Sequence, residues 1–140
     1  MKHFALFFLL LLSFAAYSQS DDEVIPDSRL YVRFSADYIN VMLQSDPKSV
    51  EYLNFELDFG YKIMDAGLEK CEGLPYLHYF NSTDKTVEGI VEDINESSIN
   101  IMEYHYDRNY DKPNIYRIGN TGQVIIFYSL KDLNRKFNQN

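Results

Sequence analysis

The chain has 140 residues, with 21 Asp and Glu against 13 Lys and Arg and a formal charge of -8 at pH 7. At the usual ~100–200 residues per domain, this length predicts a single domain. The acidic excess repels phosphate, which disfavours nucleic acid and anionic lipid as general partners. Six Gly, four Pro and one Cys also exclude collagen-like and disulfide-framework proteins.

Residues 1–18 have the three parts of a secretory signal peptide. Lys2 gives the positive start, residues 4–12 form an apolar run, and Ala16-Tyr17-Ser18 offers small residues at the two positions that a signal peptidase reads. We predict cleavage before Gln19, because the apolar run is shorter than the ~20 residues that a membrane anchor needs. No stable membrane span is expected after this cleavage.

The end of the signal segment also predicts a compartment. A Ser-Gln-Ser sequence after a short Phe/Leu core is similar to many Gram-negative bacterial secretory signals. No cysteine stands at the cleavage point, so we do not expect a lipoprotein. The predicted location is therefore the bacterial envelope, with the protein either periplasmic or secreted.

The segment at 19–28 is polar and acidic, which predicts a flexible acidic leader before a single small domain at 29–140. Over 29–34, apolar and polar residues alternate with a period of two, and this predicts a half-buried strand. Ser35 is the predicted N-cap of the helix that follows.

The rest of the domain has signals for both helices and strands. A helix is predicted at 47–58, opened by Asp46 and Pro47, and a strand at 60–65. Further predictions are a long connection at 66–86, a short exposed helix within 84–96, strands at 99–104, 114–118 and 123–128, a tight turn at 119–122, and a short helix after Ser129.

Helices and strands come in blocks rather than in regular alternation, which favours the α+β class. The expected architecture is a predominantly antiparallel sheet of about five strands. An N-terminal helical pair at 36–58 covers this sheet, and a short C-terminal helix ends the chain.

One candidate site is a metal centre formed by Glu103, His105 and Asp107. Alternate residues of a strand share a face, and these ligand types suit Zn²⁺, Mn²⁺ or Fe²⁺. Such positions splay on a straight strand, however, so the interpretation as a solvated strand end is favoured. We predict no cofactor.

A calcium loop is a weaker alternative in the same region. Asp107, Asn109 and Asp111 match its first, third and fifth ligands, but Lys112 and Ile118 occupy the positions that require Gly and Glu.

A second candidate site binds an anion or a sugar. Arg29, Tyr31 and Arg33 would share the exposed face of the first predicted strand, where two guanidinium groups could hold a carboxylate or a phosphate. Ordinary pairing with the many acidic residues is the competing interpretation.

Tyrosine content supports a third candidate, a contact surface. After signal cleavage, 11 Tyr would remain in 122 residues, and tyrosine is enriched at protein interfaces. Three of them are placed by the predicted C-terminal strands on the binding surface: Tyr104, Tyr106 and Tyr116.

The single cysteine, Cys71, has no partner for an internal disulfide, and we expect it to be a buried apolar side chain. Pairing with another chain stays open, as does a thiol–imidazole pair with His78 or His105.

No motif identifies a reaction, so the leading hypothesis is a non-enzymatic accessory or inhibitory protein of the bacterial envelope. It would act by contact with another envelope or secreted protein. The first alternative is a small-ligand or carbohydrate-binding domain, and the second is a metal-dependent hydrolase centred on His105.

Overall fold

The computed structural model describes residues 23–140. The predicted signal peptide and its cleavage point before Gln19 lie outside these residues. No helix within 23–140 has the length and apolar character needed to cross a membrane.

Helices and strands are interspersed along the described chain. The α-helices are α1 (Ala36–Ser45), α2 (Pro47–Phe59), α3 (Leu68–Cys71) and α4 (Leu130–Phe137), and two 3₁₀ helices lie at Ser28–Val32 and Ile101–Glu103. The strands are β1 (Tyr61–Asp65), β2 (His78–Asn81), β3 (Thr86–Ile90), β4 (Tyr104–His105), β5 (Asn114–Ile118) and β6 (Gln123–Phe127).

The first sheet has the order β1-β6-β5, with antiparallel pairing throughout. Strand β6 is central. Its apolar residues point to both faces, so both faces can be buried against other elements. Gly119 and Gly122 have φ of 44° and 80° in the β5–β6 turn, where a side chain would cause strain.

The second sheet has the order β3-β2-β4, also antiparallel. The residues before β2 join it to the first sheet: Leu77 N–H donates to Arg117 O (2.9 Å), and Arg117 N–H donates to Pro75 O (2.8 Å). The N–H of Val91, just after β3, donates to Leu77 O (2.9 Å). Leu77 is fully buried at this junction.

One apolar cluster connects both sheets with the N-terminal helices. Leu30, Ile39 and Leu57 contribute from the helical part, and Ile125 and Phe127 contribute from β6. The α+β prediction is confirmed, and so are the N-terminal helical pair and the short C-terminal helix. The six described strands form two sheets rather than one sheet of about five strands.

The predicted strand at 29–34 is wrong, because this segment contains a 3₁₀ helix. The Asp27 carboxylate accepts a hydrogen bond from Arg29 N–H (2.9 Å) and so caps a helical turn. Leu30 is buried, but Val32 is 37% exposed. The alternation in the sequence therefore does not correspond to two faces of a strand.

Asn54 holds the described end of the predicted leader against α2. Its side chain accepts a hydrogen bond from Asp27 N–H and donates one to Ile25 O, each at 2.8 Å.

Two predictions for the middle of the chain are also wrong. The expected connection at 66–86 contains α3 and β2, and the expected helix within 84–96 is the strand β3. β-branched residues occupy three of the five β3 positions, and Gly89 would weaken a helix there.

The predicted strand at 99–104 forms only at its end. Asn100 accepts a hydrogen bond from Met102 N–H (3.1 Å), which starts the second 3₁₀ helix. Ile101 and Met102 are neighbours in sequence and both are buried, a pattern that an alternating strand does not allow.

Candidate anion-binding pocket

A cavity of about 270 Å³ lies against the second sheet. We call it the Arg33 pocket, and its lining side chains come from three separate parts of the chain: Arg33, Phe80, Ser82, Lys85, His105 and Tyr106.

Arg33 directly follows the first 3₁₀ helix, and its N–H donates to Leu30 O (3.0 Å) to close the last turn. The guanidinium lies over two aromatic rings, 4.8 Å from the centroid of Phe80 and 5.4 Å from that of Tyr106. Nη2 donates a hydrogen bond to Tyr104 O. Nε is buried and has no partner among the described residues. Arg33 is therefore held in place while part of its donor capacity is unused.

Lys85 and Ser82 belong to the turn between β2 and β3. The turn is stabilised by Asn81, whose side-chain oxygen accepts hydrogen bonds from Thr83 N–H (3.0 Å) and Asp84 N–H (3.2 Å). Lys85 has φ of 53°, a left-handed conformation that costs a non-glycine residue about 1–2 kcal/mol. A strained basic residue thus lines the pocket.

His105 lies on β4, directly opposite His78 on β2. Its ring stacks 6.2 Å from that of Phe80 and makes no side-chain hydrogen bond within the described chain. The ring of His78 is engaged, since its Nδ1 lies 3.0 Å from Glu88 O. Of the two imidazoles, His105 is the one with free hydrogen-bonding capacity in the pocket.

The charge of the Arg33 pocket is opposite to that of the whole protein. Three basic residues and no acidic residue line it. Within 23–140, none of these three side chains is paired with a carboxylate, whereas Arg29, Arg108 and Arg135 each are. The pocket therefore carries uncompensated positive charge beside two aromatic walls.

Tyr106 connects the pocket to a buried polar cluster. Its hydroxyl donates to Glu56 Oε1 (3.1 Å), and the same oxygen lies 2.8 Å from Arg108 Nε and 2.7 Å from Arg108 Nη2. Arg108 Nη1 donates to two backbone carbonyls, at 2.8 and 3.0 Å. Burial, reinforced by the Glu56 carboxylate, raises the pKa of Tyr106 and keeps its hydroxyl neutral.

The two other members of the predicted anion site do not line the pocket. Arg29 donates to Asp27 and Asp58, each at 2.7 Å, and this pairing lowers the pKa of Asp27. Tyr31 is 45% exposed on the same 3₁₀ helix. The predicted group thus separates, because a 3₁₀ helix does not place alternate residues on one face.

Of the predicted tyrosine surface, one residue is buried and two are half-buried. Tyr104 is 6% exposed, and burial raises its pKa to about 12. Tyr116 packs edge-on against Phe127, and its hydroxyl accepts a hydrogen bond from Asp107 N–H (3.0 Å). Of the three predicted contact tyrosines, Tyr106 is the one that reaches the Arg33 pocket.

The predicted metal ligands are not brought together. Glu103 lies in the second 3₁₀ helix, so it does not share a strand face with His105, and Asp107 is exposed after β4. No group of three or more His, Cys, Asp or Glu side chains in the described chain is placed to hold a metal ion.

Cys71 is 1% exposed, as expected for an apolar core residue. Its sulfur lies 4.0 Å from Gln123 O in the first sheet, while His78 and His105 belong to the second. The thiol–imidazole pair is therefore not formed.

A larger cavity of about 470 Å³ lies between α1, α2 and α4. Phe34, Leu53 and Phe137 give it apolar walls, and its two charged residues, Asp46 and Lys48, have opposite signs. It lacks the concentrated charge that distinguishes the Arg33 pocket.

No family model matches the chain, and neither a curated protein nor a solved structure matches it. The fold and the pocket themselves define the class: an α+β protein with two three-stranded antiparallel sheets and a cationic, aromatic-walled pocket on the second sheet.

Sequence reasoning missed Phe80, Ser82 and Lys85. A signal for them is present, because Asn81 and Asp84 are turn residues between two short runs rich in aromatic and β-branched side chains. That pattern is typical of a hairpin, and it would have placed Lys85 beside the end of β2.

Proposed function

We propose that this protein binds an anionic ligand, a carboxylate or a phosphate, in the Arg33 pocket. Its role is binding rather than catalysis. The observation that carries the proposal is the convergence of Arg33, Lys85 and His105 in one cavity with no acidic residue.

Three features suit an oxyanion. A guanidinium gives directed N–H donors, Lys85 adds a mobile positive charge, and the Ser82 hydroxyl can donate a hydrogen bond. The rings of Phe80 and Tyr106 pack against the guanidinium and restrict its motion, which lowers the conformational cost of binding. The positive charge of the pocket also contrasts with the net charge of -8 of the whole chain, which favours an anion at the pocket over the acidic surface.

The test is an NMR chemical-shift titration of the purified protein with sodium acetate and, separately, with sodium phosphate. We expect saturable shifts at β2, β4 and the β2–β3 turn, with a Kd in the millimolar range for such small ions. Arg33→Gln should weaken binding about tenfold or more, because a charge-assisted contact is worth about 1.5–3 kcal/mol.

Arg117→Gln is the matched control. The Arg117 guanidinium also lies over an aromatic ring, 4.4 Å from the centroid of Tyr76, and has no carboxylate partner in the described chain. It does not line the pocket, so this variant should bind like the unmodified protein. Equal affinities in Arg33→Gln and Arg117→Gln would refute the proposal.

Contact with another envelope or secreted protein stays a prediction, as do periplasmic or secreted location and the absence of catalysis. Of the tyrosines predicted for such a contact, Tyr104 is buried, while Tyr106 and Tyr116 are half-buried and pack against the core.

A further inference from the structure

Strand pairing places an apolar surface next to the Arg33 pocket. Val87 on β3 lies directly opposite Phe80, and Ile90 lies directly opposite His78. Directly opposite residues in an antiparallel pair point to the same face of a sheet. Val87 and Ile90 are three residues apart, but a register shift between these two pairs gives β3 one extra residue, so both share the face on which Phe80 and His105 line the pocket.

This surface faces solvent. Val87 is 50% exposed and Ile90 is 36% exposed, while Val91, the next residue, is fully buried on the other side. The side chains at Phe80 and His78 are separated by two strand positions, about 6.6 Å. We name Val87 and Ile90 the apolar flank, since they extend from the wall of the pocket along β3.

The surface has two adjacent parts, the charged pocket and the apolar flank. Phe80 lines the pocket and is paired with Val87, while His78 on β2 lies between His105 and Ile90. A small inorganic ion would use only the first part. A ligand with an oxyanion at one end and an apolar chain at the other matches both parts.

We therefore infer that the ligand is an amphiphilic acid, whose headgroup binds at Arg33 and whose apolar chain lies over Phe80 and the apolar flank. This inference rests on the proposed function and names the ligand class for the same pocket. Covering the exposed flank would stabilise the complex, because removal of apolar surface from water is favourable.

The experiment compares straight-chain carboxylates of increasing length: acetate, butyrate, hexanoate and octanoate, at concentrations below micelle formation. Their affinities are measured by the same NMR titration. Full burial of one CH₂ tightens binding about fourfold. Since the flank is an open sheet face, we expect about twofold per CH₂, and therefore about 16-fold between butyrate and octanoate.

Val87→Thr and Ile90→Thr keep β-branched side chains on the strand while they reduce its apolar surface. Together they should weaken octanoate binding about fivefold and leave acetate binding unchanged. Ile115→Thr is the control, because Ile115 is a strand isoleucine of nearly equal exposure, 37%, on the first sheet. It should leave the octanoate affinity unchanged.

The outcomes separate this inference from the proposed function. Acetate and octanoate affinities that are equal, with both lost in Arg33→Gln, would overturn the amphiphile and keep the anion site. A chain-length effect that Ile115→Thr removes as strongly as the flank variants would overturn it as nonspecific association. Failure of every carboxylate and of phosphate to bind would overturn both proposals.

Discussion

Two arginines contact the same tyrosine and have opposite surroundings. The guanidinium carbons of Arg33 and Arg108 each lie 5.4 Å from the centroid of the Tyr106 ring. Arg108 is 8% exposed, pairs with Glu56 and donates to two backbone carbonyls. Arg33 donates to one carbonyl, has an unpartnered Nε, and faces a cavity without acidic residues.

The difference separates a structural cation from one available to a ligand. A buried charge is tolerable only when a counter-charge and hydrogen bonds replace the lost water. Arg108 has the Glu56 carboxylate and hydrogen bonds from Nε and Nη1, although its Nη2 makes no hydrogen bond. Arg33 differs in having no counter-charge in the described chain. An external anion would supply to Arg33 the negative charge that Glu56 supplies to Arg108.

The largest effect is expected on the structural side, from Arg108→Met. This change leaves the buried Glu56 carboxylate without its cation, which costs about 3–5 kcal/mol of unfolding free energy. Urea denaturation measures the loss. Adding Glu56→Gln should recover part of it, since the unpaired charge is then absent. Simple addition of the two single-variant losses would contradict the pairing.

High pH should lower the stability of the fold more gradually, through ionisation of the buried tyrosines. Burial raises the pKa of Tyr104 to about 12 and raises that of Tyr106 as well. Because folding favours the neutral phenols, their contribution is complete below the ordinary tyrosine pKa of about 10 and is lost as the pH rises from there through 12. The shift of Tyr104 corresponds to up to about 3 kcal/mol.

Circular dichroism against pH should show this loss of stability above pH 10, together with phenolate absorbance that rises late for the buried tyrosines. Unfolding that is complete before any phenol ionises would contradict the explanation.

The sequence predicted those parts of the fold that local signals determine. Helix α2 starts at Pro47, because proline suits the first position of a helix. Helix α4 follows Ser129, whose hydroxyl accepts a hydrogen bond from Asp132 N–H (3.1 Å). The β5–β6 hairpin follows from its Gly-rich turn. Each of these signals is complete within a few residues.

The Arg33 pocket could not be predicted in the same way, because it depends on which strands pair. His105 and Arg33 were singled out in two different hypotheses, and neither hypothesis places them together. They meet because β2 lies between β3 and β4, a pairing that joins residues far apart in sequence. The 3₁₀ helix before Arg33 also depends on a single cap at Asp27, which competes with a convincing strand pattern.

A smaller effect is expected at Lys85, on the ligand side. Lys85→Gly removes the strain of φ 53° and should stabilise the fold by up to about 1 kcal/mol, less the entropy cost of glycine. The variant should also bind acetate about threefold more weakly. Lys85→Ala is the matched control, because it removes the same charge and keeps the strain. Thermal unfolding should distinguish the two variants, while the acetate titration should not.

The smallest effect on stability is expected for Arg33→Met, which makes it the sharpest test of the comparison. The variant loses the hydrogen bond to Tyr104 O and the stacking on Phe80, but it also removes a buried donor without a partner. These contributions have opposite signs, so we expect a net change within about 0.5 kcal/mol in urea denaturation. Arg108→Met is expected to cost several times more, although both arginines lie equally close to Tyr106. Losses of similar size would mean that Arg33 is a structural cation like Arg108, and the pocket would lose its main candidate for anion binding.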